Sequence, residues 1–250
     1  MRGFWPIFKR EMLALFVTPL AWVLITTFLM VQGIHVFILV SQFATSVDAA
    51  DLGEGGPVQA FFGKTILLYL PLLFICPLLT MRLFAEERRS GTIEALLTTP
   101  VSTVAVTLAK YAAALVTYAL MWAPTLLYVV IIAKTGDVDW RAVGASYLGV
   151  LCVGAGYLAI GIMTSALTTS QLTAAVLSAM ALIFLFMVGI GEFVADVGPV
   201  HEVCGYVSVW SQMNDFSQGI IDLRRLVLDG TLVAVPLFIT VRAVDSWRWG

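Results

Sequence analysis

The chain has 250 residues, of which 60% are hydrophobic and 12% charged, whereas a soluble domain carries about a quarter charged residues. So few charges cannot clothe a core of this size in a water-facing shell, which excludes a soluble globular protein and makes lipid the solvent. The formal charge of −2 offers no basic footprint for nucleic acid.

At the start, Phe4, Ile7, Phe8 and Phe16 alternate with Lys9, Arg10 and Glu11 at spacings that predict an amphipathic helix over about 3–16, lying along the inner membrane interface. Runs of about 20 apolar residues then cross a bilayer as helices, because backbone groups in hydrocarbon are satisfied only within the helix itself. Six such runs occur, at 19–40, 64–81, 104–133, 143–167, 172–194 and 226–244. The first is longer than a signal core and no small-x-small cleavage site follows it, so it reads as a retained span. Pro71, Pro77 and Pro124 mark bends inside spans, and Pro236 interrupts the last. Gly144, Gly149, Gly154, Gly156 and Gly161 thread the fourth span and allow close helix approach within the chain. The expected fold is all-α, a single polytopic bundle of six transmembrane helices over residues 1–250.

Lys and Arg beside a span tend to stay on the cytoplasmic side. One side carries Arg2, Lys9, Arg10, Arg82, Arg88, Arg89, Arg242 and Arg248, and the other Lys64, Lys134, Arg141, Arg224 and Arg225. Both termini are therefore expected in the cytoplasm, together with the inner loop 83–103. In that loop Glu86, Glu87, Arg88 and Arg89 form a charged rim, Gly91 breaks the chain direction, and Thr92 caps a short helix that follows it, containing Glu94 and ending at Pro100. Its stripe of Ile93, Leu96 and Leu97 is too short to span a membrane but suits docking into a cleft on a partner; the plainer reading is a solvated connection. The long segment 196–225 mixes Tyr206, Trp210 and Phe216 with polar residues, the composition of outer interfacial or re-entrant helices.

The stretch AEERRSGTIEALLTTPVS in the inner loop resembles the signature of ABC type-2 permeases, in particular the gliding-motility-associated export permeases. KREMLALFVTPLAWVLITTFLMVQGIHVF near the start, and FSQGIIDLRRLV followed by ITVRAVDSWRW near the end, are similar to the same family's opening and closing segments. The resemblance implies a permease subunit, not an enzyme, which pairs with a second copy or a sister permease in a prokaryotic inner membrane. It also implies a separate cytoplasmic ATPase that holds ATP and Mg, gripped by the loop residues Glu86, Glu87, Arg88, Arg89, Gly91, Thr92, Glu94, Leu96, Leu97 and Pro100. No cofactor is expected on the chain itself, and its remaining partner is membrane lipid, not nucleic acid. The alternative is a scaffold or maturation subunit that uses the same fold to do mechanical work on a partner protein.

Other residues offer weaker chemistry. Gly63-Lys64-Thr65 imitates the end of a phosphate loop, but Val58 stands where the first glycine of GxxxxGK[ST] is needed. Glu192, after Gly189 and Gly191, is either a polar site at membrane depth or a carboxylate that water reaches through a kink. Lys110, near the start of the third span, reads as an anchor that snorkels to the inner head groups. Cys76, Cys152 and Cys204 show no CxxC spacing, and His35 and His201 have no ligand partners in sequence. An ion-driven transporter would want acidic residues near the membrane midplane, and the spans supply little beyond Glu192.

Overall fold

The computed structural model describes residues 3–45, 56–63, 65–92, 101–134, 138–194 and 198–247. Every regular element among them is helical. In chain order they are α1 (Phe4–Val17), α2 (Pro19–Thr45), α3 (Pro57–Gly63), α4 (Ile66–Thr80), α5 (Arg82–Ser90), α6 (Thr103–Trp122), α7 (Leu126–Ala133), α8 (Trp140–Leu167), α9 (Gln171–Ile190), α10 (Pro199–Val207), α11 (Val209–Ser217) and α12 (Leu223–Ser246). Among the described residues, six helical stretches are long and apolar enough to cross a membrane: Pro19–Ala44, Ile66–Ser90, Thr103–Ala133, Trp140–Leu167, Gln171–Phe193 and Leu223–Ser246.

Helix starts follow polar caps that satisfy otherwise orphaned backbone N–H groups. Ser102 Oγ accepts from Ala105 N at the start of α6, Asp139 from Arg141 N at α8, and Asp222 from Arg224 N at α12. Pro124 lies in a 3-10 turn, Ala123–Thr125, that joins α6 to α7 within the third span. Pro236 behaves differently from the expected interruption, since α12 runs unbroken through it. A proline removes a single helical N–H bond, and a spanning helix packed on a neighbour tolerates that loss. The cap at Asp222 also starts α12 earlier than hydropathy alone implies, which brings Arg224 and Arg225 into its first turn.

The fourth span is the hub. Helix α8 is buried along most of its length and packs against α4, α5, α9, α11 and α12. Small residues make this burial achievable: a Cβ at Gly154 would overlap the ring of Tyr118, and one at Gly149 would overlap the ring of Phe216. Tyr118, itself fully buried, closes the contact by donating its hydroxyl to the Val150 carbonyl at 3.1 Å. The outward faces of α2, α9 and α12 are apolar and exposed, as at Phe37, Phe184 and Phe238, which is the surface expected against hydrocarbon. Between the fifth and sixth spans, α11 turns inward and buries Val209, Met213 and Phe216 against α3 and α8. Trp210 stays half-buried and packs beside Tyr69 and Phe193.

Candidate functional site

Helix α1 buries the stripe Ile7, Glu11 and Leu15, spaced i, i+4, i+8 on one helical face. A carboxylate at the centre of an apolar stripe requires a partner, because burying an isolated charge is costly. Lys110 supplies it. Its side chain is fully buried in α6, and Nζ lies 3.0 Å from Glu11 Oε1 and 3.0 Å from Glu87 Oε1. The half-exposed Arg10 closes the network from outside, with Nη2 at 2.7 Å from Glu11 Oε1 and 2.6 Å from Glu87 Oε1. Partial burial disfavours the Arg10 charge, but the hydrogen bonds and negative charges of Glu11 and Glu87 outweigh it and raise its pKa. Lys110 Nζ also lies 5.2 Å from the centre of the Phe84 ring, within cation–π range. Four charges thus join three elements: the leading helix α1, the inner helix α5 and the third span.

Helix α5 is also tied to the fourth and sixth spans. Ser165 Oγ accepts from Phe84 N at 3.1 Å and Ala85 N at 3.2 Å and donates to the Met81 carbonyl at 2.9 Å. These are the backbone groups left open where the second span turns at Met81 into α5. Arg88 donates from Nη1 to the Ala166 carbonyl at 3.2 Å and lies over the Trp247 ring at 4.5 Å. Phe84 meets the same indole edge-on.

The expected rim is therefore split. Glu86 and Arg89 are exposed, with Glu86 paired to Arg82 at 3.0 Å, whereas Glu87 and Arg88 turn inward to hold α5 in place. Gly91 ends α5 at φ +72°, a left-handed conformation that favours glycine. Thr92 follows with its hydroxyl 2.8 Å from Ser90 Oγ. Glu94, Leu96, Leu97 and Pro100, with Ile93, lie outside the described residues. Between α1 and α5 a recess of 310 Å³ is lined by Arg10, Glu11, Glu86, Glu87, Thr92 and Lys110.

Lys110 departs from its expected role, since its ammonium is enclosed by carboxylates and does not reach for head groups. Glu11, expected on the charged face of the leading helix, is part of the buried network too. The i, i+4, i+8 spacing of Ile7, Glu11 and Leu15 is the signal that marks it. Glu192 sits far from this network, in the 3-10 turn Gly191–Phe193 at the end of the fifth span. His35 is held by Gln32 and Thr65 and stacks on Phe61. Among the described residues no group of three His, Cys, Asp or Glu residues is arranged to hold a metal ion.

Six candidate spans around a buried hub, with a charged, multiply anchored helix at one end, define an integral membrane protein. Residues 39–241 match the ABC-2 family transporter protein family, and the chain belongs to it. The match takes in Glu87 and Lys110 but stops short of α1. Membrane subunits of this family are not themselves catalytic, and membership implies a partner ATPase subunit. No curated protein matches the chain.

Proposed function

We propose that the chain is the export permease of an ATP-driven transporter, of the type associated with gliding motility, working as a pair with a second copy or a sister permease. A separate cytoplasmic ATPase holds the ATP and Mg. It grips the loop 83–103 through Glu86, Arg89, Gly91, Thr92, Glu94, Leu96, Leu97 and Pro100, while Glu87 and Arg88 pass the motion inward. Both termini and this loop face the cytoplasm.

The observation that carries the reading is the anchoring of α5. A helix that merely connected two spans would need no fully buried lysine, yet α5 is fastened to α1, to the third span through Lys110, to the fourth through Ser165 and to the sixth through Trp247. Force applied to the loop beyond Gly91 then reaches several spans together. Packed elements transmit displacement in this way because they are bistable and do not deform continuously.

Replacing Glu94 with Lys or Leu97 with Asp tests the grip. Each variant should insert and fold normally while losing co-purification with the ATPase, because charge reversal or burial of a carboxylate at a desolvated contact costs several kcal/mol, about a hundredfold or more in affinity. Normal binding and transport in both variants would remove the loop from the coupling path.

A further inference from the structure

Helix α1 carries two stripes on opposite sides. Ile7, Glu11 and Leu15 are buried, and the helix packs chiefly on α6. Two residues away along the chain, and so about 200° around the helix, Trp5, Lys9, Leu13 and Val17 form a second stripe at the same spacing. Trp5, Leu13 and Val17 are each more than half exposed, and Lys9 is exposed with them. Lys9 Nζ lies over the Trp5 ring at 5.3 Å, and no carboxylate among the described residues pairs with it. The sole carboxylate of α1, Glu11, turns inward to Lys110, so the outward side shows Lys9 and the half-exposed Arg10 without an acid of its own. This apolar surface does not end with α1. Only the extended Thr18 separates it from α2, where Trp22, in the first turn, donates Nε1 to the Phe16 carbonyl at 2.9 Å and meets the Phe16 ring edge-on. Trp22, Val23 and Met30 are exposed in their turn, so the outer stripe continues into the exposed apolar side of the first span.

We propose that the outer stripe of α1 seats in an anionic lipid leaflet, with Lys9 on the phosphates, and that lipid charge thereby sets how firmly α1 holds α5. Continuity with the first span selects a bilayer as the occupant, since tryptophans at Trp5 and Trp22 suit the level of the head groups. A basic outward side without an acid selects net-negative lipid over zwitterionic lipid. A helix held against the leaflet presents Glu11 to Lys110 from its other side, and Lys110 holds Glu87 of α5 at the same distance. Anionic lipid therefore favours the closed network, and neutral lipid leaves α1 freer to lift from it. The consequence for ATP use rests on the coupling reading, and the leaflet is the cytoplasmic one in the proposed topology; the lipid contact and its hold on α5 depend on neither.

The test places the full chain in nanodiscs of phosphatidylcholine, with and without phosphatidylglycerol. Native mass spectrometry reads which lipid is retained, and amide exchange reads the protection of α5. The wild type should retain phosphatidylglycerol preferentially, and α5 exchange should slow when that lipid is present. Lys9→Gln should lower the preference about fivefold, the worth of one basic residue at an anionic surface. Leu13→Glu puts a carboxylate on the outer stripe and leaves Ile7, Glu11 and Leu15 as they are, so it should abolish both effects; slow exchange in α8 in the same data verifies that each variant is folded. Equal retention of the two lipids by the wild type overturns the proposal. So does a preference that both variants keep, which would assign the lipid to other basic residues such as the exposed Arg89, and so does α5 exchange that ignores lipid charge. No ATPase is present, so a failed grip at Glu94 and Leu97 leaves this result untouched and the two readings fail separately.

Discussion

Replacing Lys110 with Met removes the one fully buried charge of the inner network. Glu11 and Glu87 would then share Arg10 alone, with both carboxylates still mostly enclosed. Removing one partner of a buried pair costs about 3–5 kcal/mol. Arg10 remains within hydrogen-bond distance of both carboxylates, so the lower end applies: about 3 kcal/mol, or roughly a hundredfold in the folding equilibrium. Arg10→Ala makes the contrast, because Arg10 is half-exposed and such pairs contribute about 0–1 kcal/mol, less in high salt. The measurement is reversible unfolding in mixed micelles, with ATPase co-purification and stimulated ATP turnover read on the same preparations. The double variant Lys110→Met with Glu11→Leu should regain most of the lost stability, since an apolar pair can replace a buried ion pair at little cost. It should still fail to couple, because the link from Glu87 on α5 to the third span is gone. A Lys110→Met protein as stable as the wild type would refute the buried network. A double variant with full coupling would leave the network a structural role only.

Three further outcomes are expected. Trp247→Ala removes the surface on which Arg88 and Phe84 rest, so amide exchange in α5 should quicken while exchange in α8 stays slow; unchanged α5 protection would show that the C-terminal contact does not hold it. Gly154→Ala forces a methyl group into the Tyr118 ring, which should destabilise the bundle by about 1–3 kcal/mol despite alanine's better helix propensity, as a lowered melting temperature would register. A cysteine at Ser90, exposed at the end of α5, should escape impermeant thiol reagents in intact cells and react in inverted vesicles; labelling from outside would reverse the expected topology.

What the sequence made legible is what depends on local pattern. Hydropathy alone marks six spans, although it does not find the caps Ser102, Asp139 and Asp222, whose side chains bond to nearby backbone where α6, α8 and α12 begin. Gly91 is equally local, since the left-handed termination it adopts involves only its own turn. Helix α5 escaped because charges from Arg82 to Arg89 lower its hydropathy to that of a loop, although Leu83, Phe84 and Ala85 are buried. The inward position of α11 escaped for another reason: the fit of Phe216 onto Gly149 joins segments distant in the chain, and the glycines of the fourth span do not announce which neighbour each admits.

The Lys110 network shows where inference could have gone further. An ammonium within a span has two outcomes, to snorkel or to find carboxylates, and the choice depends on whether a carboxylate can reach it. The acidic residues that line one recess with Lys110 are Glu11, Glu86 and Glu87, and each has a different geometry. Glu11 lies on the buried stripe of α1, and Glu87 follows the inward turn of α5, so both meet Lys110. Glu86, one residue earlier on α5, points about 100° away around the helix and pairs with Arg82 in the open. Helical phase therefore separates the carboxylates that bind the lysine from the one left at the surface, and it is that phase, read together with the single lysine of the third span, that converts a row of charges in a loop into a fastening between elements.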